Sequence, residues 1–297
     1  MPDPLRFLVI DGYPKESRDQ LQEAGMRLAW DLYERLLLRY LPDAACDVLL
    51  PCDPGVDMPG KADLTPYHGI LWTGCNLTIY HDHDERVTSQ IRLARDAFEA
   101  GVPGFGSCWG LQMAAVAAGG EVRANPRGRE MGLARKVYLT PEGERHPMCA
   151  GRPKVFEGFI SHDDEVVRLP PGGLHLAANA FTRVQAIAVT HGSGVFWAVQ
   201  YHPEYDLREL ARLIVAREPR LVRQGLFRGH DDLAAYVERL EALAADPART
   251  DLRWQLAIDD DVLSEEQRHC EFVNWLDEVV LPRAGSPKRV RARSTAC

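Results

Sequence analysis

Gly104-Phe105-Gly106-Ser107-Cys108-Trp109-Gly110-Leu111-Gln112 is the stretch on which the reading of this chain turns. The short run 102–106 before Cys108 reads as a strand. The small-residue run 111–118 after it, closed by Gly119-Gly120, reads as a helix. Gly-x-Cys-x-Gly at a strand-to-helix junction is the cysteine form of a nucleophile elbow. Glycine at 106 and 110 removes Cβ atoms where the chain must turn sharply and pass close to itself. Cys108 then stands above a sheet at a helix N-terminus, where the dipole favours a thiolate. The backbone N–H of Trp109 points to the place where an oxyanion would form. A lone cysteine would read as a buried filler. The elbow makes Cys108 a nucleophile, without separating amidases from other thiol enzymes.

Working outward, residues 5–10, 46–50 and 69–72 are short apolar runs, the first closed by Asp11-Gly12. Such runs suit strands buried on both faces of a parallel sheet. Helical spacing fills 17–39 and 88–100, the second stopped by Gly101. The alternation predicts an α/β fold, an open and mostly parallel sheet flanked by helices. In such sheets the chemistry sits outside the carboxyl ends of the strands. From 121 to 200 the pattern turns to strand-like runs at 134–139, 182–189 and 195–200, mostly β with an antiparallel part. After Asp206 it is helical, with 207–217 closing the core and further patterns at 231–244 and 264–280.

A thiol needs a base. Tyr201-His202-Pro203-Glu204 follows the run 195–200 and supplies one. Pro203 drives His202 toward extended backbone. There residues i and i+2 share a face, so His202 and Glu204 both aim at one site. A carboxylate beside an imidazole fixes its tautomer and stabilises the imidazolium. Cys108, His202 and Glu204 form the expected triad.

Gly-x-Cys-x-Gly-x-Gln followed by Tyr-His-Pro-Glu resembles the class I, triad-type glutamine amidotransferase family, most of all the glutaminase domain of GMP synthase and its stand-alone relatives. The likeness runs over residues 5–217. Thr73-Gly74-Cys75-Asn76 is similar to the family's oxyanion loop, with Cys75 and Asn76 where Gly or Ser and Pro are usual. The resemblance implies a second oxyanion donor at Gly74 or Cys75, beside Trp109. It implies a glutamine pocket at Gln112, at Arg129-Glu130-Met131-Gly132 and at Ser161-His162, where the Ser161-His162 backbone holds the substrate α-groups. His162 is accordingly read as a backbone contact and not as a second base. The implied reaction is hydrolysis of a glutamine-type side-chain amide through a γ-glutamyl thioester, with no metal and no organic cofactor.

Composition narrows the rest. A net charge of -8 argues against a general nucleic-acid binder. No stretch approaches the roughly 18 apolar residues of a membrane span. The first residues show no basic start and apolar core of a secretory leader. Seven irregularly spaced cysteines make a poor disulfide framework and a poor zinc site. The expectation is a reduced, cytoplasmic protein. His81-Asp82-His83-Asp84-Glu85 and Asp259-Asp260-Asp261 read as solvated loops and helix caps before any cation site.

The expected divisions are an amidotransferase domain over 1–217, a helical extension over 218–281 and a flexible tail over 282–297 carrying Lys288, Arg289, Arg291 and Arg293. The patterns Gly-x-x-x-x-Gly-Lys-Ser/Thr and Ser-Gly-Gly-x-Asp-Ser are absent, so ammonia made here would pass to a separate synthetase or be released. The reading favoured is a glutaminase serving an acceptor enzyme, because the Ser161-His162 and Gln112 motifs suit an unmodified glutamine; the alternatives are a stand-alone hydrolase of a substituted γ-glutamyl amide and a non-catalytic module of the same fold. The extra helices suit a docking surface, a homodimer interface or a lid.

Overall fold

A computed structural model describes residues 4–286 and residue 289. The apolar runs become strands β1 (Arg6–Ile10), β2 (Ala45–Leu49), β3 (Gly69–Trp72) and β4 (Gly104–Ser107). After them come β5 (Glu121–Ala124), β6 (Glu130–Leu139), β7 (Val155–His162), β8 (Asp164–Arg168), β9 (Gly173–Ala178), β10 (Ala186–His191) and β11 (Gly194–Val199). The main sheet has the order β2-β1-β3-β4-β11-β10-β9-β6-β7, and β5 pairs with β8 apart from it. From β2 to β11 the pairings are parallel. From β11 to β7 they are antiparallel. Every residue of β3 and β4 is buried, as strands covered on both faces must be. The sheet is the α/β sheet expected, with the parallel strands carrying the site.

The helices are α1 (Lys15–Glu23), α2 (Ala29–Tyr40), α3 (Lys61–Leu64), α4 (Glu85–Ala100), α5 (Trp109–Ala117) and α6 (Leu207–Ala216). The single helix expected over 17–39 is two. Gly25 adopts a positive φ of 80°, and the Met26 N–H closes back onto the Leu21 carbonyl. That left-handed closure ends α1 before the apolar periodicity runs out. The expected helix over 264–280 is also broken, into Glu265–Arg268, Cys270–Trp275 and a π-turn over Leu276–Val280. Asp84 caps α4 through the Arg86 N–H, and Gly101 ends it in the left-handed region. Strands β5, β7, β8 and β9 were not singled out by the sequence pattern. Their mixed burial, with both β8 and β9 part exposed, hides the alternation that would reveal them.

The helices beyond Ala216 share the core of the sheet. Leu233, Val237, Leu240 and Leu243 of helix His230–Ala245 bury in one cluster with Leu210, Leu213 and Ile214 of α6. Phe272 and Trp275 pack on the sheet itself, with Phe105–Phe272 ring centroids 5.4 Å apart and Phe7–Trp275 centroids 6.3 Å apart. Gly69 of β3 leaves room for Trp275, since a Cβ there would lie 2.7 Å from its ring. Each such side chain contributes on the order of 2 kcal/mol through burial. The tail expected from Pro282 lies largely outside the described residues. Within them, Leu281–Arg283 is helical and Arg289 pairs with Asp277 at 2.9 Å. No described helix is long and apolar enough to cross a membrane.

Candidate active site

Cys108 is the N-cap of α5 and holds φ 52° and ψ -96°. A non-glycine residue at positive φ is strained, and such strain persists only where the surroundings dictate it. Here they do. The Cys108 N–H is bonded to the Val199 carbonyl at 2.8 Å, tying the end of β4 to the end of β11. A Cβ on Gly106 would lie 2.8 Å from Gly110 Cα, and one on Gly110 would lie 2.7 Å from the Trp72 carbonyl oxygen. Both glycines are therefore steric necessities of the elbow. The thiol is 4% exposed as a residue and approaches the Ser161 carbonyl oxygen at 3.7 Å.

His202 and Glu204 lie just past β11. They meet in a way the sequence reading did not foresee. The Tyr205 N–H reaches the His202 carbonyl at 3.3 Å, so His202-Pro203-Glu204-Tyr205 is a turn and not an extended strand end. Proline at the second position of a turn is favoured because its φ is already set. The turn brings His202 Nδ1 to 2.6 Å from Glu204 Oε1, with both side chains buried. Ser107 Oγ donates to the same carboxylate oxygen at 2.9 Å and fixes it. Tyr205 stacks flat on the imidazole, centroids 4.1 Å apart and planes 3° apart. Burial opposes charge on His202. The Glu204 carboxylate and hydrogen bonds with Cys108 and Glu204 outweigh it, and the imidazole is pushed up to about 10.

Three backbone N–H groups close to this point are without an acceptor among the described residues. Trp109 opens α5, so its N–H has no intrahelical acceptor. Neither it nor the N–H groups of Gly74 and Cys75 have an acceptor among the described residues. Gly74 passes so close to the imidazole that a Cβ would lie 2.8 Å from His202 Cε1. Cys75 is anchored by its thiol, which donates to the Gly12 carbonyl at 3.0 Å.

A cavity of about 270 Å³ opens over Cys108 and His202. Of the residues expected to hold substrate, Gln112, Arg129, Ser161 and His162 line it. Met131 does not; it faces a neighbouring cleft with Gly132, Ile214 and Tyr236. The His162 imidazole is 1% exposed and tied on both nitrogens, Nδ1 to the Asp164 carbonyl at 2.8 Å and Nε2 to Glu130 at 3.1 Å. Glu130 also accepts from Asn179, Thr182 and Gln185. Burial opposes its charge, but these donors and His162 hold its carboxyl below the usual range.

Sequence reasoning missed several lining residues. Asp163 accepts from Arg129, Arg220 and Gln224, and Arg129 also donates to Ser161 Oγ at 3.0 Å. Tyr80 donates to Asp164 at 2.9 Å. Tyr13, Tyr205 and Arg217 complete the wall. Tyr205 sits one residue past the His-Pro-Glu motif and Tyr13 one past the Asp11-Gly12 turn, which were usable signals. Arg217 and Arg220 carry none. The arrangement can deprotonate a thiol, hold an oxyanion on backbone N–H groups and reprotonate a leaving group.

Comparison with known proteins agrees with this geometry. The family model for glutamine amidotransferase class-I matches residues 65–218. A gamma-glutamyl-L-1-hydroxyisopropylamide hydrolase of a Pseudomonas species is 36% identical over 285 residues, covering 94% of this chain and 95% of that protein. The GMP synthase [glutamine-hydrolyzing] of Thermomicrobium roseum is 32% identical over 185 residues; that match covers 62% of this chain and 32% of the synthase. A glutamine amido transferase structure from Methylobacillus flagellatus superposes with a TM-score of 0.63 at 18% identity, covering 99% of both chains. A glutamine amidotransferase from Thermotoga maritima gives 0.58 at 19% identity, covering 88% of this chain and 98% of that one. At those identities the structural likeness speaks for the fold.

Proposed function

The chain belongs to the class I glutamine amidotransferase family, and from that premise we propose that it hydrolyses an N-substituted γ-glutamyl amide, with Cys108, His202 and Glu204 as its triad. One observation carries the reading: a strained, buried cysteine shares a cavity with an imidazole whose Nδ1 is held by a buried carboxylate at 2.6 Å. In this reading the Cys108 proton is already held on His202, whose charged form the site favours, and the sulfur attacks the γ-carbonyl carbon. The negative oxygen rests on the Trp109 N–H and on Gly74 or Cys75, where loss of one donor typically costs ~100- to 1000-fold in rate. His202 returns the proton to the departing nitrogen, and the C–N bond breaks. Water then adds to the thioester carbonyl and the C–S bond breaks, so the products are glutamate and an amine.

The γ-glutamyl half has a suitable wall in Arg129, Asp163, Asp164 and Ser161, which offers both signs of charge to an α-amino acid. The preference for a substituted amide is supported by similarity along nearly the whole chain to a γ-glutamyl amide hydrolase. The second reading is glutamine hydrolysis feeding ammonia to a separate acceptor enzyme, supported by the shorter match to GMP synthase. A steady-state comparison separates them. The purified protein alone should release glutamate from N-alkyl γ-glutamyl amides with a kcat/KM above that for L-glutamine, and Cys108→Ala should abolish both. Glutamine turnover exceeding that of every substituted amide would favour the second reading.

A further inference from the structure

The two segments assigned to the oxyanion come from different parts of the chain. Trp109 opens α5, while Gly74 and Cys75 lie in the loop after β3. Such donors act only when fixed about 2.7–3.1 Å from the developing charge, so the spacing between the segments must be held from outside the site. Both segments lead to one point, the backbone of Gly12 just past β1. Gln90 of α4 is fully buried, and its Oε1 accepts from the Trp109 indole N–H at 3.0 Å. Its Nε2 donates to the Arg86 carbonyl at 2.8 Å and reaches Cys52 Sγ at 3.6 Å. Cys52, in the turn after β2, donates its S–H to the Gly12 carbonyl at 3.1 Å. Cys75 donates to the same carbonyl at 3.0 Å.

Gly12 has no room for a side chain, because a Cβ would lie 2.8 Å from Gln90 Oε1 and 3.0 Å from Trp109 Nε1. Its turn is locked by the Asp11 N–H on the Leu49 carbonyl and the Tyr13 N–H on Asp11 Oδ1, both at 3.0 Å. Gly12 thus meets the elbow through the Gln90–Trp109 bond and the loop through Cys75. The thiols suit this role. Burial pushes Cys52 up to about 12 and Cys75 well above an ordinary thiol, so both keep their protons as donors at neutral pH. The loop is held from its other side as well, since the Leu77 N–H donates to Cys75 Sγ at 3.3 Å and Asn76 Nδ2 to Ser17 Oγ at 2.8 Å. Gln90, Cys52 and Gly12 lie outside the cavity wall, so they reach the reaction only through Trp109 and Cys75.

We propose that Gln90 is a positioning residue for the oxyanion hole, and that Gln90, Cys52 and Cys75 form one brace through Gly12 that fixes the distance between the two donor segments. The proposal rests on the thioester reading above and deepens it.

The test uses the intact protein with L-glutamine and γ-glutamylethylamide as substrates. Gln90→Met removes the acceptor of the indole N–H at similar volume, and should lower kcat by about 10- to 100-fold with KM little changed, because small misplacements at a reacting centre are costly. Gln90→Glu keeps an acceptor oxygen and should recover most of that loss. Cys75→Ala should show the same fall, and Cys75→Ser, which keeps a donor, should recover it. The double variant Gln90→Met with Cys75→Ala should cost little more than the worse single one, since both release the same brace. Alkylation of Cys108 by iodoacetamide, followed by peptide mass analysis, supplies the readout that a loss of packing would move. That displacement develops no charge on a carbonyl oxygen, so its rate should stay at the wild-type value in every variant. Equal slowing of hydrolysis and alkylation would overturn the brace, because the nucleophile itself would then be displaced. So would an undiminished kcat in Gln90→Met, or a double variant whose loss is the product of the two single losses. If Gln90→Met does not fold, Cys52→Ala takes its place, singly and with Cys75→Ala. A wild type without Cys108-dependent turnover of either substrate overturns the hydrolase reading and the brace with it, whereas failure of the brace alone leaves that turnover intact.

Discussion

The Tyr205 ring lies parallel to the His202 imidazole, 3° off and 4.1 Å away, so the base is held by a face contact as well as by its edge bond to Glu204. The stack restrains the tilt of the ring, and Glu204 sets which nitrogen carries the proton toward the carboxylate. If the triad acts as proposed, Glu204→Gln should lower kcat by on the order of 100- to 10,000-fold while the stack survives. Steady-state kinetics on an N-alkyl γ-glutamyl amide, with KM little changed, checks this.

The charge on His202 also predicts how stability depends on pH. Its folded-state value is raised to about 10, while an unfolded histidine titrates near ~6.5. Between those values the folded chain binds the extra proton, so stability falls as pH rises. The contribution is fully present below about 6.5 and is lost by about 10. Thermal melts across this window should show a steeper decline for the wild type than for His202→Gln. Parallel declines would remove the raised value from the account.

Gly74 offers a sharper test of the loop beside the base. Gly74→Ala would place a Cβ 2.8 Å from His202 Cε1, and either the loop or the ring must move. A displacement of about 1 Å at such a site costs about 100-fold in rate. The expected result is a large loss of kcat with a melting temperature near that of the wild type.

Glu130 is predicted to matter for stability. It gathers His162, Asn179, Thr182 and Gln185 under the cavity floor. Glu130→Leu strands those donors without their acceptor and should cost about 3–5 kcal/mol in denaturant unfolding. Glu130→Gln keeps an acceptor oxygen and should cost less.

How much of this was legible follows from the range of the contacts. The elbow, the His-Pro-Glu segment and the parallel strands were readable because each is local: glycine at fixed offsets, proline beside the base, continuous apolar runs. Even there the geometry differed, since Pro203 starts a turn where an extended strand end was expected. The network around Glu130 was not readable, because His162, Thr182 and Gln185 come from separate strands and loops that only the antiparallel half of the sheet assembles. Arg217 and Arg220 sat in what read as ordinary helix. The helical pattern over 264–280 was visible, but nothing in its spacing says that Trp275 covers Gly69 of β3. Periodicity tells that a face is buried and not against what.

The measurement that bears most directly on the central claim is intact-protein and peptide mass analysis after rapid mixing with an N-alkyl γ-glutamyl amide and an acid quench. The account predicts a γ-glutamyl adduct on the peptide carrying Cys108, absent from Cys108→Ala, which should also release no glutamate. Glutamate release by Cys108→Ala at the wild-type rate, with no adduct on either protein, would contradict it.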